Sequence, residues 1–255
     1  MIWTPDVRGA LIDLDGTLLE GGRAVAGAKG FLERLRARGV PFKICSNITR
    51  WSRADAAAAL AASGLEVSPE DVLLPAWLAH RMIAASGRRR AMLLVTGACL
   101  HDFDGVSRVD EGGDWVVVGD LGRDLHADRL DAAFRALRAG AGFLALHRNR
   151  FWHAGPERGW VLDAGSYVAA LEHATGVQAT VVGKPSRAFF DLGLAELGLP
   201  AEQVVMVGDS VENDMEGAAA AGCRTCLVRG AAFSEEALRA SAYRPDWIAE
   251  SVEGL

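Results

Sequence analysis

The sequence predicts an α/β fold built around a parallel sheet. Short apolar runs alternate with helical patterns along nearly the whole chain, which is typical of stacked βαβ units. Most of the helical patterns end at a glycine, as at positions 39, 64 and 222. Several apolar runs stop abruptly at polar residues, and the carboxyl ends of parallel strands are where such folds bind ligands.

The individual elements follow from the spacing of apolar residues. Each predicted strand is a short, mostly apolar run, as expected for a strand that is buried on both faces. The predicted strands are residues 9–14, 40–45, 91–96, 115–119, 142–147, 179–182, 204–208 and 224–228. Between them, apolar residues recur with helical spacing. The clearest predicted helices are residues 26–37, 52–62, 75–85, 127–138, 164–174, 187–197 and 211–221.

Composition and charge restrict the class of function. The chain has 255 residues, of which 50% are apolar and 24% are charged, so a disordered or fibrous protein is excluded. A formal net charge of −6 argues against nucleic acid as the main partner, because phosphate backbones require a broad basic surface. No apolar stretch is long enough to cross a bilayer, and residues 1–6 lack the features of a secretory signal. We therefore expect a cytoplasmic location and no membrane partner.

The four cysteines, Cys45, Cys99, Cys223 and Cys226, are too few and too scattered for a disulfide framework. Cys223 and Cys226 have the spacing of a redox pair. However, reactive pairs open a helix, and this pair follows one and enters an apolar strand. We favour a structural role for both thiols.

The most informative segment contains two carboxylates at the end of the first apolar run. Asp13 and Asp15 are one residue apart and are followed by Gly16 and Thr17. Alternation along a continuing strand would point both carboxylates the same way, toward one reacting centre. Two such charges repel each other unless a cation lies between them. The alternative is an acidic strand end followed by an ordinary turn.

Three further apolar runs also end in polar residues. Ser46 and Asn47 follow the second strand and offer donors for a phosphate oxygen, although such residues also form ordinary turns. Lys184 lies in a Gly-Lys-Pro sequence after another strand and could neutralise phosphoryl oxygens, although most single lysines are solvated surface residues. Asp209 and Asp214 follow the strand at 204–208, and carboxylate oxygens at strand ends favour magnesium.

Taken in this order, the four segments resemble the four motifs of the haloacid dehalogenase superfamily of phosphohydrolases. The Asp-Leu-Asp-Gly-Thr-Leu sequence at 13–18 and the Gly-Asp of 208–209, with a second aspartate at 214, form a strong joint signal. The resemblance covers most of the chain. It implies a Rossmann-like core of three layers and a magnesium-dependent phosphatase that acts through an aspartyl-phosphate.

The resemblance also implies a role for each motif residue. Asp13 would be the nucleophile, and Asp15 the acid that protonates the leaving oxygen and then activates water. Magnesium would be held by the Asp13 carboxylate, the Asp15 backbone carbonyl and Asp209, and Asp214 would orient these ligands.

The phosphate-binding residues come from the second and third motifs. Ser46 and Asn47 would bind phosphate oxygens, and Lys184 would offset the charge on the transferring group.

The long stretch between Ser46 and Lys184 resembles the inserted α/β cap domain of the para-nitrophenyl-phosphatase-like subclass (subfamily IIA, cap type C2). We expect a core formed by residues 1–86 and 180–255 and a cap formed by residues 87–179. Within the subclass, residues 145–152, 168–172 and 182–186 are similar to the phospholysine phosphohistidine inorganic pyrophosphate phosphatase group.

Polar residues near the end of the predicted strand at 142–147 are candidate substrate contacts: His147, Asn149, Arg150 and His153. The alternative is a solvated strand end. The substrate would be a small phosphorylated molecule, and the subclass implies a possible homodimer formed through the cap.

Other functions remain open at this stage. A carbon-halogen hydrolase would lack the second acid, which Asp15 supplies here. A phosphomutase is compatible with the motifs, but a large cap more often accompanies hydrolysis. A catalytically silent binding or scaffold protein would keep the fold, although the motif carboxylates are all present here.

Overall fold

The computed structural model of the chain describes residues 4–120, 126–153 and 157–255. The strands in this part are β1 (Gly9–Asp13), β2 (Leu19–Glu20), β3 (Arg23–Ala24), β4 (Phe42–Cys45), β5 (Val72–Leu73), β6 (Arg90–Leu94), β7 (Ser107–Arg108), β8 (Trp115–Val118), β9 (Gly142–Ala145), β10 (Phe151–His153), β11 (Trp160–Leu162), β12 (Thr180–Val181), β13 (Val204–Gly208), β14 (Arg224–Val228) and β15 (Trp247–Ala249). The α-helices are α1 (Ala28–Ala37), α2 (Arg53–Ala62), α3 (Pro75–Ser86), α4 (Ala127–Arg138), α5 (Ala164–Thr175), α6 (Arg187–Leu197), α7 (Gly217–Ala221) and α8 (Glu235–Ala240). Short 3-10 helices cover Pro69–Asp71, Ala98–Phe103, Ala201–Gln203 and Val252–Gly254, and a π-helical turn covers Val211–Glu216.

The first of two compact units is built on a six-stranded parallel sheet. It contains Arg53–Leu73, Lys184–Leu255 and the described residues up to Ser46. The strand order is β15-β14-β13-β1-β4-β5. Every residue of β1 and β13 is buried, so both faces of these strands are covered. The predicted α/β class with a parallel sheet is therefore confirmed.

The direction of the chain across this sheet changes at β1. From β1 the chain proceeds to β4 and β5 on one side, and β13, β14 and β15 lie on the other. Ligands of open parallel sheets bind outside the carboxyl ends of the strands at such a reversal. Asp13 ends β1 and pairs with Cys45 at the end of β4, and Asp209 follows the last residue of β13. The topology thus brings the first, second and fourth motifs to one edge of the sheet.

The second compact unit contains Asn47–Ser52 and Leu74–Gly183. Its five-stranded parallel sheet has the order β12-β9-β8-β6-β7, and the antiparallel pair β10 and β11 is separate from it. Apolar residues of β6, β8 and β9 pack with those of α4 and α5 in one core. The predicted boundaries of an inserted cap at residues 87 and 179 stay a prediction.

Several local features differ from the sequence-based expectation. The predicted helix at 211–221 is a π-helical turn followed by the short helix α7. The pairs β2–β3 and β10–β11 and the edge strand β15 were not predicted, since two or three residues carry too little periodicity. Glycines do follow the helices as predicted: Gly39, Gly64 and Gly222 have φ angles of 64°, 82° and 92°.

No helix among the described residues is long and apolar enough to cross a membrane.

Candidate active site

The turn after β1 carries the predicted nucleophile. Asp13 is buried, with 6% of its surface exposed. The chain reverses at Gly16, whose φ of 86° favours glycine and whose N–H donates to the Leu19 carbonyl at 2.7 Å. A side chain at this position would also collide with the Asp209 carboxylate. The Gly of the motif therefore allows the turn to approach the neighbouring strand end closely.

Lys184 joins two of the predicted carboxylates. Its buried ammonium donates to Asp13 Oδ1 at 2.5 Å and to Asp214 Oδ1 at 2.6 Å. It also donates to the Cys45 carbonyl at 3.3 Å. Lys184 thus orients the Asp13 and Asp214 carboxylates in addition to supplying positive charge.

Backbone N–H groups fix the two acidic residues that follow β13. Asp209 Oδ2 accepts a hydrogen bond from Ala232 N–H at 2.7 Å. Asp214 Oδ2 accepts one from Ser210 N–H at 3.1 Å. Ser210 caps the π-helical turn, which begins at Val211, and its hydroxyl accepts from Asn213 N–H at 3.1 Å. Such turns are frequent at functional sites, and this one points the Asp214 carboxylate back toward the strand end.

Together these residues form a buried acidic cluster that fits a divalent cation. One carboxylate oxygen from each of Asp13, Asp209 and Asp214 lies within 4.8 Å of the others. Among the described residues, Asp13 Oδ2 is a buried oxygen with no hydrogen-bond partner. One ammonium faces three carboxylates, so the cluster has an excess of negative charge. Hard oxygen ligands of this kind are those that magnesium prefers.

Burial and the neighbouring charges shift the pKa values of the residues in this cluster. Burial, opposed by Lys184 but reinforced by Asp214 and Asp209, raises the pKa of Asp13 to about 8. Burial also raises the pKa of Asp209. For Lys184, burial favours a lower pKa, but the adjacent Asp13 and Asp214 outweigh it and raise the pKa. The lysine is therefore held charged, and a cation beside Asp13 would favour its ionised form.

Asp15 and Ser46 form the outer part of the same site. Asp15 is exposed, and its Oδ2 accepts a hydrogen bond from the Ser46 hydroxyl at 3.3 Å. Ser46 is buried, and its N–H donates to the Leu73 carbonyl at 3.2 Å. An exposed carboxylate held beside a buried nucleophile can exchange protons with a bound molecule and with water. Lys184 and the motif residues 13, 15, 46, 209 and 214 are thus brought together at one edge of the first sheet.

Comparison with protein families shows which family the chain belongs to. A family model described as haloacid dehalogenase-like hydrolase matches residues 10–107, and a related HAD-hydrolase-like model matches residues 181–255. The chain is 37% identical over 223 residues to the bovine haloacid dehalogenase-like hydrolase domain-containing protein 2, covering 88% of this chain and 84% of that protein. The chain belongs to the haloacid dehalogenase-like hydrolase family.

Two further comparisons show which kinds of hydrolase this chain resembles. It is 33% identical to human phospholysine phosphohistidine inorganic pyrophosphate phosphatase, over 98% of this chain and 94% of that protein. It also resembles the crystal structure of a glycerol phosphate phosphatase from Mycobacterium tuberculosis in complex with magnesium. The TM-score is 0.85 and the identity 31%, with 97% of this chain and 75% of that chain covered. The family resemblance predicted from the motifs is confirmed.

The remaining candidate residues of this hydrolase lie in the second unit. Asn47 belongs to that unit, and its Oδ1 lies 2.7 Å from where a Cβ on Gly183 would be. His147 is buried with 3% of its surface exposed, so the expectation of a solvated strand end does not describe it. Asn149 and Arg150 are exposed. The side chain of His153 lies outside the described part of the structure.

Sequence reasoning missed the backbone groups that orient the carboxylates. The N–H groups of Ser210 and Ala232 have no side-chain signal, because their direction is set by the fold. One signal was present in Gly230, which lies two residues after the end of β14 at Val228. A Cβ there would lie 2.6 Å from Asp209 Oδ2.

The cysteine pair has no reactive character. Cys223 and Cys226 are both free and buried. Burial raises the pKa of each thiol to about 12. A thiol with so high a pKa is almost entirely protonated at neutral pH, as expected for structural cysteines.

Proposed function

We propose that this hydrolase is a magnesium-dependent phosphatase that acts on a small phosphorylated molecule through an aspartyl-phosphate on Asp13. The observation that carries the proposal is the buried cluster of Asp13, Asp209 and Asp214 around Lys184, in which Asp13 Oδ2 accepts no hydrogen bond from any residue that the structure describes. A carboxylate at the carboxyl edge of a parallel sheet is suited to attack a ligand bound there.

The chain's own residues supply two successive displacements. In the first, an Asp13 oxygen bonds to phosphorus while the bond from phosphorus to the leaving oxygen breaks and Asp15 gives that oxygen its proton. In the second, Asp15 takes a proton from water as the water oxygen bonds to phosphorus. The bond between phosphorus and Asp13 then breaks, which releases phosphate and restores the Asp13 carboxylate, while Asp15 is again protonated as at the start. The bond from Ser46 to Asp15 Oδ2 orients this acid and base.

The metal would be held by Asp13, Asp209 and the Asp15 backbone carbonyl, with Asp214 orienting the set through its bonds to Lys184 and Ser210. When bound, magnesium supplies positive charge that offsets repulsion between the Asp13 carboxylate and the phosphate. Lys184 supplies further positive charge at the same oxygen of Asp13. These assignments explain why a lysine and several carboxylates share one buried space.

Substrate selection would come from the inserted domain, which we place at residues 87–179. Ser46 and Asn47 would bind the phosphate oxygens that every substrate shares. The names of the relatives support phosphate-bearing substrates, since one is a phosphatase of phospholysine, phosphohistidine and inorganic pyrophosphate and another is a glycerol phosphate phosphatase.

We also infer a cytoplasmic location, which the free, buried cysteines suit, and a homodimer formed through the cap, which light scattering would test.

Release of nitrophenolate from para-nitrophenyl phosphate tests the proposal. We expect turnover with magnesium, none after chelation, and recovery when magnesium is restored. Asp13→Asn should lower kcat by at least about a thousandfold, as expected when a nucleophile is removed. The matched control is Asp191→Asn, which changes an exposed carboxylate with a surface ion pair to Arg187 and should leave turnover intact.

Two outcomes would contradict the assignment. Turnover that survives in Asp13→Asn would exclude Asp13 as the nucleophile. No turnover of any phosphate ester by the wild-type protein would instead favour a silent binding or scaffold protein.

A further inference from the structure

A short segment of the chain is seated on the second unit although both of its flanks belong to the first. Asn47–Ser52 groups with Leu74–Gly183, whereas Ser46 and Arg53 group with the first unit. The segment starts with Asn47, the proposed phosphate ligand. Whatever fixes this segment on the second unit therefore also fixes Asn47.

The segment crosses the carboxyl ends of four parallel strands of the second sheet. Asn47 lies against Gly183, just after β12, where a Cβ would be 2.7 Å from its Oδ1. Thr49 bonds to residues that follow β9 and β8, namely His147 and Asp120, each at 3.2 Å. The Arg50 carbonyl accepts from the Thr96 hydroxyl, after β6, at 2.9 Å.

This edge is where open parallel sheets bind ligands. In the second sheet the chain's own segment takes that position. The polar residues of this edge therefore bind the segment in place of a separate ligand.

A backbone N–H fixes the tautomer of His147. The Asn149 N–H donates to His147 Nδ1 at 3.2 Å, so Nδ1 is an acceptor and the proton of the neutral ring lies on Nε2. Nε2 faces Thr49 Oγ1 at 3.2 Å, and Asp163 Oδ1 is 3.7 Å away. Thr49 Oγ1 also accepts from Asp120 N–H. One hydroxyl thus receives two donors from two neighbouring strand ends.

Burial makes this arrangement specific. Thr49 and His147 each have 3% of their surface exposed. A buried donor that loses its acceptor is costly, so the segment cannot shift along this edge without leaving buried N–H groups unpaired. Arg50 adds a second attachment, with its guanidinium 4.2 Å from the Trp152 ring centre and its Nε 3.5 Å from Asp120 Oδ2.

We propose that Thr49 and His147 are positioning residues that hold Asn47 in the orientation in which it binds the transferring phosphoryl group. This inference rests on the proposed function, which makes Asn47 a phosphate ligand. Neither residue touches the reacting atoms. Both act through the chain, in which a single residue, Ile48, separates Asn47 from Thr49.

The test combines a Thr49 variant with an Asn47 variant. Thr49→Val keeps the shape of the side chain and removes the oxygen that accepts from His147 and Asp120. We expect it to raise KM for para-nitrophenyl phosphate and the Kd of inorganic phosphate, measured by calorimetry with magnesium, about tenfold. kcat should change by less than about twofold, because a contact made equally to substrate and transition state affects mainly KM. Thr49→Ser, which keeps the hydroxyl, should restore both values.

A double-variant cycle separates positioning from general damage. In an Asn47→Ala background, Thr49→Val should raise the phosphate Kd no further. The matched control is Thr175→Val, since Thr175 Oγ1 also makes two hydrogen bonds in the second unit, to the Leu171 carbonyl and from Val177 N–H. It should leave KM and Kd unchanged.

The possible failures are distinguishable. An additive Thr49→Val effect in the Asn47→Ala background, or no effect of Thr49→Val in a wild-type background that turns over substrate, would overturn the positioning role alone. A folded wild-type protein that neither hydrolyses the ester nor binds inorganic phosphate would overturn both this inference and the proposed function.

Discussion

Lys184 is the residue on which the charge balance of the site depends. It is buried at 5% exposure and bonds directly to Asp13 and Asp214, with Asp209 in the same cluster. Burying several carboxylates is costly unless a cation compensates them. The lysine supplies one positive charge, and a divalent ion would supply the rest.

Removal of the lysine charge should therefore cost stability as well as activity. We expect Lys184→Met to lower the free energy of unfolding by about 3–5 kcal/mol, the range for breaking a buried ion pair. Urea denaturation measures this, with Lys29→Met at an exposed position as the control. Equal stability of Lys184→Met and Lys29→Met would mean that the carboxylates do not need the lysine.

His147 is a second buried residue whose charge state matters. Burial lowers its pKa below the ordinary 6.5, and Arg50 acts in the same direction, while Asp163 and Asp120 oppose them. The folded protein therefore holds this ring neutral. Sequence reasoning could not predict this, because a histidine at a strand end can be solvated or buried and only the packing decides.

The lowered pKa gives a defined pH dependence. Below about pH 6.5 the unfolded chain takes up a proton that the folded ring refuses, so the free energy of unfolding falls as pH drops toward the folded-state pKa. In His147→Asn the fall between about pH 7 and about pH 5.5 should be smaller than in the wild-type protein. Urea denaturation at both values measures it, and exposed His173→Asn is the control. An unchanged fall in His147→Asn would exclude a buried neutral ring.

At the scale of elements, long buried strands were predictable and short exposed ones were not. Strands β1 and β13 are runs of five buried residues that show in the sequence as continuous apolar stretches. By contrast, β10 and β11 have three residues each and expose Phe151, Trp160 and Leu162. Their pairing depends on a register that hydropathy does not specify.

Helix starts also depend on close backbone approaches that sequence does not reveal. Gly165 lies in the first turn of α5, where its N–H donates to the Asn149 carbonyl at 2.9 Å. A Cβ at Gly165 would lie 2.6 Å from that carbonyl oxygen and would also collide with the Arg148 carbonyl. The helix can approach the chain after β9 only if this residue has no side chain.

Gly165→Ala should destabilise the protein by about 1–3 kcal/mol, since backbone atoms must move to admit the methyl group. Gly97→Ala is the matched control, because among the described residues, its chain neighbours aside, no atom lies within 4 Å of its Cβ position, and its φ of −57° suits alanine. Thermal denaturation of the two variants measures the difference. Equal melting temperatures would show that the α5 start relaxes without cost.

At the scale of the whole molecule, the two parallel sheets differ in what lies at the carboxyl ends of their strands. At the first edge, Asp13, Asp209 and Lys184 form part of the proposed active site. The second edge holds a segment of the chain through Thr49 and His147. The motifs predicted the first arrangement because like charges at strand ends point to a cation. The second was not predicted, because the hydrogen bonds of a buried hydroxyl follow from the tertiary fold.

The role of Asp13 is tested most directly by mass spectrometry of Asp15→Asn, on the intact protein and on its peptides, during reaction with para-nitrophenyl phosphate and magnesium. Nitrophenolate is a weak base and leaves without a proton, so transfer to Asp13 should continue, while water is no longer activated. We expect a burst of one nitrophenolate per protein and a mass gain of one phosphoryl group on the peptide that carries Asp13. Sustained linear turnover with no phosphorylated protein, or a phosphoryl group on another residue, would contradict the assignment of Asp13 as the nucleophile.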